Sequence, residues 1–212
     1  MKRVNVFGIV LSMIIGIGFI GAFFGWLQLV SINSDVKKQQ YNEVCTYLNL
    51  KKIVKAQAIY KQHDWDNDGE LEYSPFLVHL WKTIINKNGE ALKINLISKK
   101  LGFATEPSFA QNGYVFKMLY EYHADALELM DYKKEWAICA FPLDKGTTGL
   151  LTFIVDHRDT ILVSATQNIY KHEYPDRPLD NSWKIISKKE DLIAYQGGLR
   201  NKVTQSSTGL AE

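Results

Sequence analysis

An uncharged apolar run from Val4 to Val30 constrains this chain more than any other feature; its only polar residues are Asn5, Ser12 and Gln28, and Lys2 and Arg3 precede it. A helix rises about 1.5 Å per residue, so Val6 to Leu27 reaches roughly 33 Å, enough for a bilayer core of about 30 Å. A secretory signal has a shorter apolar core with a small-x-small cleavage site behind it, whereas Phe23, Phe24 and Trp26 stand at the exit of this run. Residues 1–33 are therefore expected to form an uncleaved transmembrane signal-anchor in the lipid bilayer. Gly8, Ser12 and Gly16 recur every four residues, as do Gly21 and Gly25, which offers a close face to a transmembrane helix partner.

Behind the run lie about 180 residues, enough for one domain with its own core. Lys and Arg number 25 against 23 Asp and Glu, and no basic cluster is interleaved with aromatics, so nucleic acid is not an expected partner. Five Trp, eleven Tyr and ten Phe argue for a packed domain over a disordered stalk. The two cysteines, Cys45 and Cys139, have no CxxC or metal-like neighbours and are read as small buried apolar side chains, with a disulfide left open.

Ser34 can cap a helix running to about Gln62, with Tyr41, Val44, Cys45 and Leu48, then Ile53, Ala56 and Tyr60, at helical spacing. No Gly or Pro separates this stretch from the apolar run, so the two are expected to be one long helix. An acidic loop from His63 to Tyr73 ends it. Ser74-Pro75 opens a predicted short helix to Trp81, Asn86–Gly89 a turn, and Glu90–Leu101 a further short helix. The period then changes to two. Strands are predicted to start near Gly113, Glu135, Gly149 and Thr160, joined by short polar turns as an antiparallel meander. A short helix is expected near Trp183–Tyr195, and a small, polar, flexible tail over 196–212.

The segment Leu50-Lys51-Lys52-Ile53-Val54-Lys55-Ala56-Gln57-Ala58-Ile59-Tyr60, followed by the acidic loop ending Gly69-Glu70-Leu71-Glu72-Tyr73, resembles the "L-x-x-I-x-x-A-Q-x-x-Y … D-x-D-x-D-G-x-x-E-Y" text of type IV pilin-like and pseudopilin-like bacterial envelope proteins. Gly113-Tyr114-Val115-Phe116, Ala140-Phe141-Pro142 and Thr152-Phe153-Ile154-Val155 are similar to the strand core of that group. The resemblance covers roughly residues 45–165 and implies an α+β fold. In that fold an N-terminal transmembrane helix continues into an amphipathic helix packed on a four-stranded antiparallel sheet. The anchor departs from the family: Gly8 precedes Ile9, and Met13 stands where a processed pilin has Glu, so prepilin cleavage is not expected. The expected organisation is an anchor over 1–33, a pilin-like ectodomain over 34–195 and the tail. The basic N-terminus places the ectodomain on the periplasmic or extracellular side of a bacterial inner membrane, spanned once.

Asp64, Asp66 and Asp68, followed by Gly69, Glu70 and Glu72, form the best candidate site. Alternate carboxylates in a turn aim their oxygens at one centre, and hard oxygen donors suit Ca²⁺. An EF-hand would place Glu at its twelfth position, which here is Pro75, so Glu70 or Glu72 would have to complete the shell. The competing reading is a solvated acidic turn. His63, His79, His123, His157 and His172 are scattered without metal or catalytic spacing. Asp125, Glu128 and Asp131 read as a solvated helical face, and Gly146-Thr147-Thr148-Gly149 as a hairpin turn rather than a phosphate loop. No nucleophile motif is present in the sequence. The expectation is a non-enzymatic, membrane-anchored protein with a structural or interaction role among other envelope proteins, stabilised by calcium. The alternatives are a small-ligand-binding domain or an accessory subunit of a membrane complex.

Overall fold

The computed structural model describes residues 34–120, 130–166 and 182–208. The chain divides into two compact units, Met1–Lys38 and Gln39–Glu212. Of the first, only 34–38 are described, and they are helical. The second holds everything that follows.

Helix α1, residues 39–60, lies along one face of an antiparallel sheet. The sheet is built from β3 (Tyr114–Leu119), β4 (Ala137–Pro142), β5 (Thr152–Asp156), β6 (Ile161–Ser164) and β7 (Lys184–Ile186), side by side in that order; two further strands, β1 (Thr83–Ile85) and β2 (Ala91–Lys93), form a separate hairpin. Successive strand side chains point to opposite faces. Phe116, Ile138, Phe153, Val155, Ile161 and Val163 therefore meet Leu50, Ile53, Ala56 and Tyr60 of the helix. The alternate set, Leu119, Ala137, Cys139, Ile154 and Leu162, faces the other way and packs with Met130 and Trp183. Burial on both faces explains why the centres of β5 and β6, Phe153–Val155 and Ile161–Val163, read as apolar runs and not as alternation. It also separates the cysteines: Cys139 is on the face turned away from α1, both thiols are free, and no disulfide joins them.

Several expectations are corrected. The sheet has five strands, not four, because the β-branched pair Ile185-Ile186 extends β6 as an edge strand where a helix was expected to begin. The expected helix over Glu90–Leu101 is instead the second half of a hairpin, β1 (Thr83–Ile85) paired with β2 (Ala91–Lys93), followed by a four-residue helix, α2 (Lys99–Gly102). The Asn86–Gly89 turn closes that hairpin: Asn86 Oδ1 accepts from the amides of Asn88 and Glu90, and Gly89 takes φ +80°. Ser74 does not cap a helix; its amide donates to Gln57 and its hydroxyl to the Phe76 carbonyl, leaving only a 3-10 turn at Leu77–Leu80. Of the expected tail over 196–212, residues 196–208 belong to helix α3 (Lys189–Thr208), and the remainder lies outside the described residues. Leu192, Tyr195, Gln196 and Leu199 pack inward at helical spacing, and that packing outweighs the roughly 1 kcal/mol that each of Gly197 and Gly198 costs.

The anchor expectation is corrected as well. Among the described residues no helix is long and apolar enough to cross a membrane. Helix α1 carries Glu43, Lys51, Lys52 and Lys55, and α3 carries Lys189, Glu190 and Asp191. The predicted span, with Gly8, Ser12, Gly16, Gly21 and Gly25, lies outside the described residues. The transmembrane signal-anchor, the single-pass inner-membrane placement and the envelope location are set aside on this finding.

Candidate metal centre at the end of the long helix

Helix α1 ends in a tight sequence of backbone bonds, with the Gln62 amide on the Ile59 carbonyl at 3.1 Å and the His63 amide on the Tyr60 carbonyl at 3.2 Å. The Trp65 indole N–H donates to the same Tyr60 carbonyl at 2.9 Å, using the second lone pair of a last-turn acceptor that no i+4 amide reaches. The His63 ring lies over Trp65, centroids 5.1 Å apart. From here the chain folds back through two left-handed residues, Asn67 at φ +60° and Gly69 at φ +88°. Asp64 organises the turn: its two oxygens accept from the amides of Asp68 at 3.0 Å and Gly69 at 2.8 Å, while Asp68 accepts from the Glu70 amide at 2.8 Å.

This winding brings Asp64, Asp66 and Asp68 together, each with one ligand oxygen within 4.8 Å of the others. Two oxygens each about 2.4 Å from one cation stand at most about 4.8 Å apart, so the spacing admits a single ion of calcium size. Glu70 and Glu72 are not part of that group. Glu70 is exposed and pairs with Lys133 at 3.2 Å. Glu72 is half-buried nearby; burial raises its pKa, and the charges of Asp66 and Asp68 raise it further. Asp66 is likewise raised, first by burial and then by Asp68, whereas the Gly69 amide holds Asp64 low.

Three segments meet at the loop. The Asp66 carbonyl accepts from the Lys87 amide of the β1–β2 turn at 2.8 Å, and the Lys87 ammonium stands 3.6 Å from Asp68. The Tyr73 amide donates to the Tyr132 carbonyl at 2.9 Å, and Lys61 reaches the Lys133 carbonyl at 2.9 Å.

The other residues singled out from sequence are dispersed. His79 meets the Phe76 ring edge to face, and burial lowers its pKa to about 4. Asp131 binds Lys134, which holds its pKa low; His123, Asp125, Glu128 and His172 lie outside the described residues. Gly146–Gly149 is the expected turn, with Gly146 at φ +94°.

A second polar centre went unread in the sequence. Glu43 is 1% exposed, and one of its oxygens accepts from the amides of Leu150 at 2.6 Å and Leu151 at 3.1 Å. Its other oxygen takes the side-chain amide of Gln196 from α3. On the same stripe Asn42 donates to the Thr148 carbonyl at 2.8 Å, and Gln39 to that of Gly146. The available signal was that Gln39, Asn42, Glu43 and Thr46 continue the helical phase of Leu50, Ile53 and Tyr60. Comparisons with protein-family models, curated proteins and solved structures each find no match for this chain.

Proposed function

We propose that this domain has a structural, protein-binding role without catalysis, and that a hard divalent cation, calcium foremost, stabilises its acidic loop. The observation that carries the reading is the convergence of Asp64, Asp66 and Asp68 at a spacing suited to one such ion. Exposed carboxylates also cluster without an ion, so the wiring of the loop matters. The loop joins the end of α1, the β1–β2 turn and the segment around Tyr132, and neutralising it would tighten all three. The resemblance to pilin-like proteins enters here through the long helix on an antiparallel sheet and the D-x-D-x-D-G text.

Trp65, between two of the aspartates, supplies the test. Terbium, a calcium surrogate, should show luminescence sensitised by excitation of Trp65 and quenched by added calcium. Asp66→Ala should abolish the signal while leaving the far-ultraviolet spectrum unchanged. Luminescence that survives in Asp66→Ala, or that calcium cannot compete away, would overturn the cation site and leave a solvated acidic turn.

A further inference from the structure

Strand β3 is an edge of the main sheet, and its outward edge is covered piecemeal. The even-numbered residues point their backbone groups outward. Tyr114 exchanges bonds with Gln111 at 2.8 and 3.0 Å, the Phe116 amide donates to Ala104 at 2.7 Å, and the Tyr120 carbonyl just beyond the strand accepts from Met130 at 2.8 Å. The parity agrees with Pro142, which lacks an N–H and stands opposite Tyr114. Met118 lies between the two covered stretches. Among the described residues no backbone group bonds to its outward N–H and C=O.

A cavity of about 230 Å³ opens at this gap, lined by Phe76, Leu77, Val78, Met118 and Tyr120 together with Thr105 and Lys117. Its size discriminates between ligands. Small-molecule sites usually occupy about 300–1,000 Å³, whereas a cavity of about 150 Å³ suffices for benzene. This one suits a single large apolar side chain. An unfilled backbone donor–acceptor pair beside a one-side-chain cavity is the arrangement that recognises an extended chain added to a sheet edge.

We infer that the Met118 notch binds an extended peptide segment carrying an aromatic residue flanked by acids. The aromatic residue pairs its N–H and C=O with those of Met118 and turns its side chain into the cavity on the Met118 side. Strand alternation then sends its two neighbours to the opposite face, where Lys117 projects. The Lys117 ammonium rests 5.7 Å from the Phe141 ring centroid and supplies the complement to a carboxylate there. No carboxylate of the acidic loop lines the cavity, and the site does not depend on a cation.

The test uses the full chain and the blocked peptide acetyl-Thr-Glu-Phe-Glu-Thr-amide, followed by titration calorimetry and by the amide resonance of Met118. Binding should move that resonance and should weaken at least about tenfold when the Phe nitrogen is methylated or Phe is replaced by Ala. Lys117→Glu should lose this peptide and gain the one in which both Glu are Lys, an exchange that a misfolded variant would not show. No binding, binding insensitive to N-methylation, or shifts that spare Met118 would each overturn the proposal.

Discussion

The two halves of α1 bury the same face against the same domain by opposite means. From Gln39 to Thr46 the buried side chains are polar, Gln39, Asn42, Glu43 and Thr46, and three of them reach across to the 146–151 loop. From Leu50 to Tyr60 they are Leu50, Ile53, Ala56 and Tyr60, with Gln57 as the polar exception, bonded twice to the backbone of Ser74. Apolar burial is non-directional and contributes about 1.5–3 kcal/mol for each large side chain. Hydrogen bonds contribute less in net terms but are costly to leave unmade, so they dictate where a loop must lie. One half of the helix supplies stability; the other supplies position.

The largest expected effect comes from the apolar half. Ile53→Ala should cost about 2–5 kcal/mol, read from the urea midpoint, because Ile53 is fully buried among rigid sheet side chains. A cost below about 1 kcal/mol would show that this half is not the source of stability. This half was also the legible one. Ile53, Ala56 and Tyr60 were placed on the core face by spacing alone, and the first four strands of the sheet begin within a few residues of their predicted starts. In the other half the same reasoning chose the wrong face: Tyr41 and Leu48 are 63% and 44% exposed. A hydropathy period finds the apolar stripe, and a buried polar stripe inverts it. Nothing local in the sequence shows that amides some hundred residues away will satisfy Glu43. The aspartates were legible because their grouping is local; the lysines that approach them come from distant segments and were not.

Calcium should act from the end of the apolar half. At about one hundred times its dissociation constant it would stabilise the fold by about 2.7 kcal/mol. Amides near Tyr60 should gain exchange protection while Leu150 and Leu151 do not. The pH dependence has a fixed sign. Asp66 and Glu72 have raised pKa values, so their contribution favours the cation-free fold below their unfolded pKa values and is lost as pH rises through the folded ones. Asp64 is lowered and does the reverse: its contribution is present above the unfolded pKa and lost as pH falls through the folded one. Calcium competes with the proton on Asp66, which offers a ligand oxygen, and is drawn by the charge of nearby Glu72, so its effect on Tm should be full at pH 7 and shrink toward about pH 4. An equal rise at both pH values would break this expectation.

In the polar half, Glu43→Gln keeps the shape but weakens the charge-assisted bonds to Leu150 and Leu151, for an expected loss of about 1–3 kcal/mol. The distinguishing measurement is local exchange: those two amides should open well before the sheet does. Uniform loss of protection would mean that the polar half stabilises globally too. The smallest effect belongs to Lys51, which lies between the halves and pairs with the exposed Asp159 at 2.7 Å. Lys51→Ala should change stability by less than about 1 kcal/mol.

Coverage of both sheet faces has a consequence for how β5 finds its alignment. In a strand with one wet face, sliding by one residue throws every apolar side chain into water, and that penalty fixes the pairing. Thr152–Asp156 is buried throughout, so a slip would exchange one buried side chain for another. The alignment must be set at the strand's ends. Just before it, the Leu150 and Leu151 amides are held by Glu43; at its close, buried Asp156 accepts from the Arg158 amide at 3.0 Å and from its guanidinium. A single-residue shift would move both amides off the carboxylate and carry Asp156 away from the turn that holds Arg158. Two acids outside the apolar core thus act as stops for the strand that lies at its centre.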